Sequence, residues 1–278
     1  MNVSLLQCQS SLDINANLSF IESQLKQLKF ESLQPHLVVL PECCLLLGGR
    51  ETAQIAAAAP EQNHPLKQSL IDLSCRYQVY MVAGTIPVLA DDGRIYSRSY
   101  LFAPDGQVLG QYDKLHLFDV DVADGTGRYR ESDTFCPGSH ICVVDTPMAK
   151  IGLAICYDLR FPELFRALTL AGAEVIVLPA AFTQVTGAAH WQVLLQARAI
   201  ENQCFILAAD QWGQHNQGNR HTYGHSMVVD PWGRVQACLP EGLGWLHTQL
   251  DLAELAKVRN SMPVQTHNRF APPTLQAL

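Results

Sequence analysis

Short apolar runs alternate along the chain with segments whose apolar residues recur at helical spacing. In residues 15–30, for example, Leu18, Ile21, Leu25 and Leu28 share one face, which predicts an amphipathic helix. The apolar runs are short and end at proline or polar residues, which is typical of buried strands. The same pattern predicts further helices at 66–77, 162–171 and 189–201, and strands at 3–7, 36–40, 79–86, 150–155, 175–178 and 204–209.

The second half of the chain repeats the plan of the first. Residues 78–83 (QVYMVA) resemble residues 203–208 (QCFILA), and residues 99–108 (SYLFAPDGQV) resemble residues 226–235 (SMVVDPWGRV). The last two segments each contain a Pro-x-Gly turn, which predicts a hairpin in both halves. Strands that are apolar throughout are typical of sheets covered on both faces. We therefore predict an α/β fold, a layered α-β-β-α sandwich with an internal pseudo-repeat.

No linker rich in proline, glycine or serine divides the chain, so we predict one domain over residues 1–255. A short helix is predicted from about Asp251, and Pro263, Pro272 and Pro273 follow it. Because proline cannot continue a helix, residues 256–278 are predicted to form an arm of the same domain. This C-terminal arm is either loose or docked on a partner.

The charge content narrows the classes of protein to consider. The chain has 19 Lys+Arg and 26 Asp+Glu, or 16% charged residues, whereas soluble domains average about 25%. Such a low content indicates a weakly charged surface, a large buried fraction or an extensive interface. The formal net charge of −7, without a cluster of Lys or Arg, argues against nucleic-acid binding.

Two further features bear on the location of the protein. The first residues have neither the basic nor the apolar region of a secretory signal, and no segment is a good membrane span, so no membrane association is expected. The nine cysteines include no C-x-x-C pair, which is typical of reduced thiols. We therefore expect a cytoplasmic protein.

The segment with the most chemical information is residues 150–164 (KIGLAICYDLRFPEL). A strand is predicted to end near Cys156 and a helix to begin near Pro162, so the thiol lies on a strand-to-helix turn. On such a turn the following backbone N–H groups, including that of Tyr157, can face an oxyanion. Cys156 is therefore a candidate nucleophile.

Several residues qualify as the base or the electrostatic partner of this thiol. His116 or His190 would form a papain-like pair with it, and the sequence does not distinguish between them. Glu42 and Lys114 follow predicted strands and occupy comparable strand ends. Taken singly, each of these residues also fits a structural role: a buried cysteine, a helix-capping acid or a solvated loop lysine.

Taken together, three segments resemble the signatures of the nitrilase, or carbon–nitrogen hydrolase, superfamily. They are LPE at 40–42, YDKLH at 112–116 and GLAICYDLRFPE at 152–163. Their order and spacing match the family's triad, which the resemblance assigns to Glu42, Lys114 and Cys156, with Glu131 as a second acid. The resemblance implies a nitrilase-like four-layer α-β-β-α sandwich and a reaction that needs no metal or organic cofactor.

Within the superfamily, residues 186–204 and 223–233 resemble small amidases that act on amides of 2-oxoglutarate. This implies hydrolysis of deaminated glutathione to 2-oxoglutarate and cysteinylglycine through a thioester intermediate, a metabolite-repair reaction. The alternatives are an ω-amidase acting on 2-oxoglutaramate, a nitrilase or other small-amide hydrolase, an acyltransferase and a non-catalytic scaffold. The family also implies a homo-oligomer, either a dimer or a dimer-based assembly.

The resemblance also implies roles for individual residues. Glu42 is the general base, and Lys114 and the Tyr157 backbone N–H stabilise the oxyanion. Arg128 or Arg130 is a separate hypothesis for binding the distal carboxylate of the substrate, because this basic pair lies beside Glu131. The loop at 119–130 matches neither amidase subgroup. The residues expected to bind the rest of the substrate are Arg160, Phe182, Thr183 and Thr186.

Overall fold

Two β-sheets lie face to face in the computed structural model, which describes residues 1–28, 35–48, 52–124, 127–215, 218 and 220–276. The first half of the chain contains β1 (Asn2–Gln7), α1 (Ile14–Leu25), β2 (His36–Leu40), α2 (Thr52–Ala57), α3 (Pro65–Tyr77), β3 (Tyr80–Ala83), β4 (Ile86–Leu89), β5 (Ile95–Phe102) and β6 (Val108–Asp113). A small hairpin, β7 (Asp119–Asp121) and β8 (Arg128–Arg130), connects the two halves.

The second half contains β9 (Cys142–Asp145), β10 (Lys150–Leu153), α4 (Pro162–Leu170), β11 (Val175–Ala180), α5 (Gln184–Asn202), β12 (Phe205–Asp210), β13 (Trp212–Gln214), β14 (His221–Tyr223), β15 (Ser226–Val229), β16 (Val235–Leu239), β17 (Gly244–Gln249), α6 (Ala253–Ser261) and α7 (Val264–His267).

The strand order of the two sheets reveals the internal repeat. The first sheet has the order β17-β1-β2-β3-β5-β4, with β6 paired to β5, and the second has β16-β15-β12-β11-β10-β9. In each sheet three consecutive strands are parallel, β1-β2-β3 and β10-β11-β12, and an antiparallel hairpin extends them. Gln78 and Gln203, equivalent in the repeat, both end a helix in the left-handed conformation. The predicted α/β sandwich is confirmed.

The alternation of side chains along each strand produces the layers. In β2, Leu37 and Val39 point into the core shared by the two sheets, whereas Val38 and Leu40 pack beneath α1 and α3. On the far side of the second sheet, α4 and α5 pack apolar residues such as Trp191 against its outer face. Both faces of the central strands are therefore buried, which is why those strands are apolar throughout.

Some predicted boundaries were wrong. The helix predicted at 189–201 begins at Gln184, because Gly187 allows its first turn to pack against the ring of Tyr223. The strand predicted at 150–155 ends at Leu153. The first helix ends at Leu25, and the end predicted for it at residue 30 lies outside the described residues. Residues 125 and 126 of the loop at 119–130 also lie outside them.

The single strand predicted at 79–86 is divided into β3 and β4 at Gly84. This glycine has a φ of +57°, and a Cβ atom added to it would lie 2.2 Å from the carbonyl oxygen of Pro41. Only a residue without a side chain fits here, because the backbone of one strand end approaches that of the next. The close approach holds Pro41, and with it the neighbouring Glu42, in place.

We expect Gly84→Ala to lower the free energy of unfolding by about 3 kcal/mol, from left-handed strain and from overpacking against Pro41. Gly93→Ala is the matched control, because Gly93 also has a positive φ of +86° but would place its Cβ in open space. Urea denaturation of both variants measures the difference. Equal losses of stability would contradict the role given to the contact with Pro41.

The end of the chain packs against the second half. Leu255 and Val258 of α6 are buried, and Arg259 donates hydrogen bonds to the carbonyl oxygens of Gln203 and Ala173, both at 3.1 Å. Phe270, by contrast, is 87% exposed. In the described part of the chain, no helix combines the length and the apolar content that crossing a membrane requires.

Candidate active site

The predicted catalytic side chains lie just beyond the carboxyl ends of strands from both sheets. Glu42 lies just beyond β2, Lys114 directly follows β6, Cys156 lies just beyond β10, and Ala181 directly follows β11. Strands that run in one direction bring such residues to the same edge of a sheet, which is where α/β folds place their sites. Because the two sheets face each other, residues from both meet at this edge.

The Lys114 ammonium is held between two carboxylates. Its Nζ donates to Glu42 Oε1 at 2.8 Å and to Glu131 Oε1 at 2.9 Å. The other oxygen of each carboxylate accepts a backbone N–H, from Ala181 to Glu42 at 3.0 Å and from Phe118 to Glu131 at 2.7 Å. The Lys114 side chain is only 2% exposed. The three side chains therefore form a buried cluster of fixed geometry.

The charges in this cluster depend on one another. Burial alone lowers the pKa of the Lys114 ammonium, but Glu131 and Glu42 outweigh burial and hold that pKa well above its usual value. Burial raises the pKa of Glu131, against the opposing effect of Lys114. A buried lysine flanked in this way stays protonated at neutral pH and provides a fixed positive charge.

Cys156 begins a short 3-10 turn, Cys156–Arg160, with a φ of +45°. Non-glycine residues seldom adopt this conformation, and a strained strand-to-helix turn projects its first side chain away from the sheet. Because the first N–H groups of a helical turn have no acceptor within it, the Tyr157 N–H is available to an oxyanion. The backbone here therefore has the form that the sequence predicted.

The thiol of Cys156 is buried beside Glu42. Burial raises the pKa of the Cys156 thiol well above its usual value, and the Glu42 carboxylate raises it further, while Lys114 and a backbone hydrogen bond from Ala181 oppose the rise. The sulfur therefore carries its proton at neutral pH until a base removes it. Of the two carboxylates that raise this pKa, Glu42 has a larger effect than Asp210.

A buried carboxylate ties the Cys156 turn to the segment that carries Lys114. Asp158, which is fully buried, accepts the Tyr112 hydroxyl at 2.7 Å, the His116 N–H at 3.1 Å and the Ile155 N–H at 2.9 Å. Residues on both sides of Lys114 are thus fixed to the turn of the thiol. From the sequence alone, Asp158 was notable only because it lies inside the third signature.

The structure does not support either histidine as the base. The His116 ring lies 2.7 Å from Asp158 Oδ1 through Nδ1 and stacks on Phe161 at 3.6 Å between centroids. His190 Nδ1 lies 3.3 Å from the Arg160 guanidinium. Neither imidazole lines the cavity that contains Cys156. Both rings are engaged elsewhere, so the papain-like alternative was wrong.

Cys156 lines a cavity that is partly open to solvent. The cluster of Lys114 and its two carboxylates lines this cavity, and so does Tyr157. Three of the predicted substrate-binding residues line it as well: Phe182, Thr183 and Thr186. The sequence pattern did not identify the other walls of the cavity, which come from several separate segments of the chain. These additional lining residues include Cys43, Gln54, Phe118, Tyr129, Phe135 and Arg220.

The four arginines near the cavity differ in their contacts. Arg160 does not line the cavity, and its guanidinium lies 5.2 Å from the Phe182 ring centroid and 5.8 Å from that of Tyr157. Arg130 lines the cavity but is occupied by Asp121 and two backbone carbonyls. Arg128 is exposed and does not line the cavity. Arg220 lines the cavity, and the sequence pattern gave it no role.

Within the described ranges, no group of three or more His, Cys, Asp and Glu side chains is arranged to hold a metal ion. His215 lies near His221 and His225 in the sequence. Its Nδ1 lies 2.9 Å from the Ser10 carbonyl oxygen, and its Nε2 lies 2.7 Å from the Thr222 hydroxyl. Burial lowers the pKa of His215 to about 4. This ring is therefore a neutral structural residue.

Several known proteins are similar to this chain in sequence and in fold. A deaminated glutathione amidase of Yersinia enterocolitica is 46% identical over 272 residues, which cover 97% of this chain and 93% of that protein. A deaminated glutathione amidase of Synechocystis is 43% identical, over 84% of this chain and 86% of that protein. The crystal structure of Saccharomyces cerevisiae Nit3, a member of branch 10 of the nitrilase superfamily, is 33% identical and matches with a TM-score of 0.84 over 97% of each chain.

The sequence model of the family described as carbon-nitrogen hydrolase matches residues 2–260. This range includes the strand ends that carry Glu42, Lys114 and Cys156, and it spans both halves of the repeat. The resemblance inferred from the three signatures is thereby confirmed. The chain belongs to the carbon-nitrogen hydrolase family of the nitrilase superfamily.

Proposed function

We propose that this carbon–nitrogen hydrolase is an amidase that hydrolyses deaminated glutathione to 2-oxoglutarate and cysteinylglycine through a thioester on Cys156. The observation that carries the mechanism is the buried cluster in which Lys114 bridges Glu42 and Glu131 beside a thiol on a strained turn. The names of the Yersinia and Synechocystis relatives support the choice of substrate.

In the first half of the reaction, the sulfur attacks the carbonyl carbon of the substrate amide while Glu42 takes the thiol proton. Proton removal during attack is required because the resting thiol has a raised pKa. The charge that develops on the carbonyl oxygen is stabilised by Lys114 and by the Tyr157 N–H. Glu42 then gives its proton to the leaving nitrogen, the C–N bond breaks, and cysteinylglycine departs with a free amino group.

In the second half, water replaces the amine. Glu42 takes a proton from the water as its oxygen attacks the thioester carbon, and the same oxyanion donors stabilise the second tetrahedral intermediate. The C–S bond breaks, the sulfur regains its proton from Glu42, and 2-oxoglutarate is released. Glu131 keeps Lys114 charged and oriented throughout, because it accepts a hydrogen bond from Nζ at 2.9 Å.

The acyl part of the substrate lies against Phe182, Thr183 and Thr186 in this proposal. Arg160 stands behind the Phe182 ring, where it provides positive charge toward the keto-acid carboxylate. The aromatic wall excludes water from the thioester until the amine has left. The presence of Phe182, Thr183 and Thr186 in the cavity wall supports these contacts.

The proposal also covers the cellular location, the assembly and the domain organisation of the enzyme. We place it in the cytoplasm, where its nine cysteines remain reduced thiols. We also propose a homodimer as its basic assembly, because α5 exposes Val185, Val193 and Ile200, an apolar surface of the kind that subunits bury. Residues 1–255 form the catalytic domain and 256–278 its C-terminal arm.

The substrate is tested by comparing kcat/KM for deaminated glutathione, for 2-oxoglutaramate and for a simple aliphatic nitrile with one enzyme preparation. We expect the largest value for deaminated glutathione and no turnover of the nitrile. A value for 2-oxoglutaramate more than tenfold above that for deaminated glutathione would favour an ω-amidase. Turnover of the nitrile alone would favour a nitrilase.

A further inference from the structure

We propose that Arg220 binds the C-terminal carboxylate of the leaving cysteinylglycine and so selects a dipeptide amide over a primary amide. This inference rests on the proposed function and assigns a contact that its mechanism leaves open. Deaminated glutathione has a keto-acid carboxylate on its acyl part and a second carboxylate at the end of its leaving part. The second carboxylate distinguishes it from 2-oxoglutaramate, whose leaving group is ammonia.

Arg220 stands in the cavity wall with hydrogen-bonding capacity to spare. Its Nε is buried and has no hydrogen-bond partner, and no acidic side chain of the described residues forms an ion pair with it. Its guanidinium carbon lies 5.9 Å from the ring centroid of Tyr129, a contact that provides no acceptor for the buried Nε–H. Buried donors without partners are rare in folded proteins and indicate a missing acceptor.

The other cations of the wall are already neutralised. Lys114 binds two carboxylates, and Arg130 binds Asp121 and two carbonyl oxygens. A carboxylate that enters the cavity therefore meets its unpaired counter-charge at Arg220. The planar guanidinium matches the two oxygens of a carboxylate better than a point charge does.

The position of Arg220 matches the leaving part of the substrate. Burial, with a smaller effect of Glu42, raises the pKa of the Cys43 thiol to about 12, and Arg220 is near enough to oppose that rise. Cys43 directly follows Glu42, the residue that protonates the leaving nitrogen, so we assign Arg220 to the leaving side of the sulfur. An extended dipeptide reaches about 7 Å, and the partly exposed Arg220 is the cation that we assign to the carboxylate at its end.

The backbone of Arg220 is held although its side chain is unpaired. Its carbonyl oxygen accepts the His215 N–H at 3.0 Å, and the next residues form β14, whose Tyr223 N–H donates to the Phe182 carbonyl at 2.9 Å. The backbone at Arg220 is thereby connected to Phe182 in the wall that we assign to the acyl part. A side chain on a fixed backbone loses less conformational freedom when it binds an anion.

The test compares two substrates on Arg220→Gln. We expect kcat/KM for deaminated glutathione to fall about 10- to 100-fold, the worth of one charge-assisted hydrogen-bonded pair, mostly through KM. The value for 2-oxoglutaramate should change by less than about twofold, because that substrate lacks the second carboxylate. Arg220→Lys should recover part of the loss. Arg234→Gln, which removes an exposed charge outside the cavity, is the matched control and should leave both values unchanged.

A change in the substrate completes the test. With the C-terminal amide of deaminated glutathione, wild-type enzyme should lose about the same factor, and Arg220→Gln should lose nothing further. Equal losses on both substrates in Arg220→Gln would overturn the inference and place Arg220 on the acyl side. The inference would also be overturned if Arg128→Gln, and not Arg220→Gln, lost the preference for deaminated glutathione over 2-oxoglutaramate. If wild-type enzyme does not hydrolyse deaminated glutathione at all, the proposed function itself fails, whereas an unchanged Arg220→Gln variant rejects the Arg220 contact alone.

Discussion

Cys156→Ala is expected to lower kcat for amide hydrolysis by about 10⁵-fold or more, because the covalent route through the thioester is lost altogether. The side chain is small and its site is a turn rather than the middle of the core, so we expect the variant to fold. Steady-state assays with deaminated glutathione, together with a thermal melt, measure both quantities. Cys156→Ser is expected to be nearly as inactive, because Glu42 is placed to deprotonate a thiol and not the less acidic hydroxyl.

Cys43→Ser is the matched control for this prediction. Its thiol lines the same cavity and its φ is also positive, at +55°, but its backbone N–H is bonded to the Thr85 hydroxyl. We expect this variant to retain turnover. Retained activity in Cys156→Ala, or complete loss in Cys43→Ser with the fold intact, would contradict the assignment of the nucleophile.

Lys114→Met is expected to lower both stability and activity. Removing the ammonium leaves two buried carboxylates without their partner, which should reduce the free energy of unfolding by about 3–5 kcal/mol. It also removes an oxyanion donor, which should lower kcat by about 10³-fold. Lys26→Met is the control, because Lys26 is 64% exposed in its pair with Glu22, and surface pairs contribute about 0–1 kcal/mol.

The stability loss in Lys114→Met should depend on pH. Burial raises the folded-state pKa of Glu131 above its unfolded value, and removing Lys114 raises it further. The stability linked to a raised carboxyl pKa is present below the unfolded value and lost as pH rises through the folded value. We therefore expect denaturation at pH 7 to show a larger loss than denaturation at about pH 4.5, near the usual range of a glutamate.

A double variant separates the two roles of Lys114. Lys114→Met/Glu131→Gln removes one of the two unpaired charges, so we expect it to recover part of the stability but none of the activity. A stability loss in Lys114→Met no larger than that in Lys26→Met would contradict the account of the cluster. So would turnover within tenfold of wild type.

The sequence led to the candidate triad through the three family signatures, because taken singly each residue also fits a structural role. In the structure Glu42, Lys114 and Cys156 lie just beyond β2, β6 and β10, and α/β folds place their sites at such carboxyl ends. The layered fold was predictable from the apolar pattern, since strands apolar on both faces require cover on both faces. The repeat then supported the pairing of two similar sheets.

What the sequence did not reveal lies in loops and in side-chain contacts over long distances. Arg220 sits in a polar loop with no periodicity, and only the folded chain shows that it faces the cavity. Asp158 was visible as part of a signature, but its bonds to Tyr112 and His116 cross more than 40 residues. Gly84 read as part of a strand, because its contact with Pro41 depends on packing between neighbouring strand ends.

The low charge content also has a structural explanation. Helices cover the outer faces of both sheets, so the central strands contribute no charged surface. Lys114, among the few lysines of the chain, is buried together with Glu42. A further share of weakly charged surface lies on α5, where we propose that two subunits meet. The low share of charged residues thus reflects the layered, covered sheets more than any single interface.

The central claim is that a thioester forms on Cys156, and the most direct test is to trap it. Enzyme turning over deaminated glutathione is quenched in acid and mapped by peptide mass spectrometry. The account predicts one 2-oxoglutaryl group, replacing one proton, on the peptide that contains Cys156, and no such group in Cys156→Ala. Pre-steady-state release of cysteinylglycine without any acylated peptide, or acylation found on Cys43 instead, would contradict it.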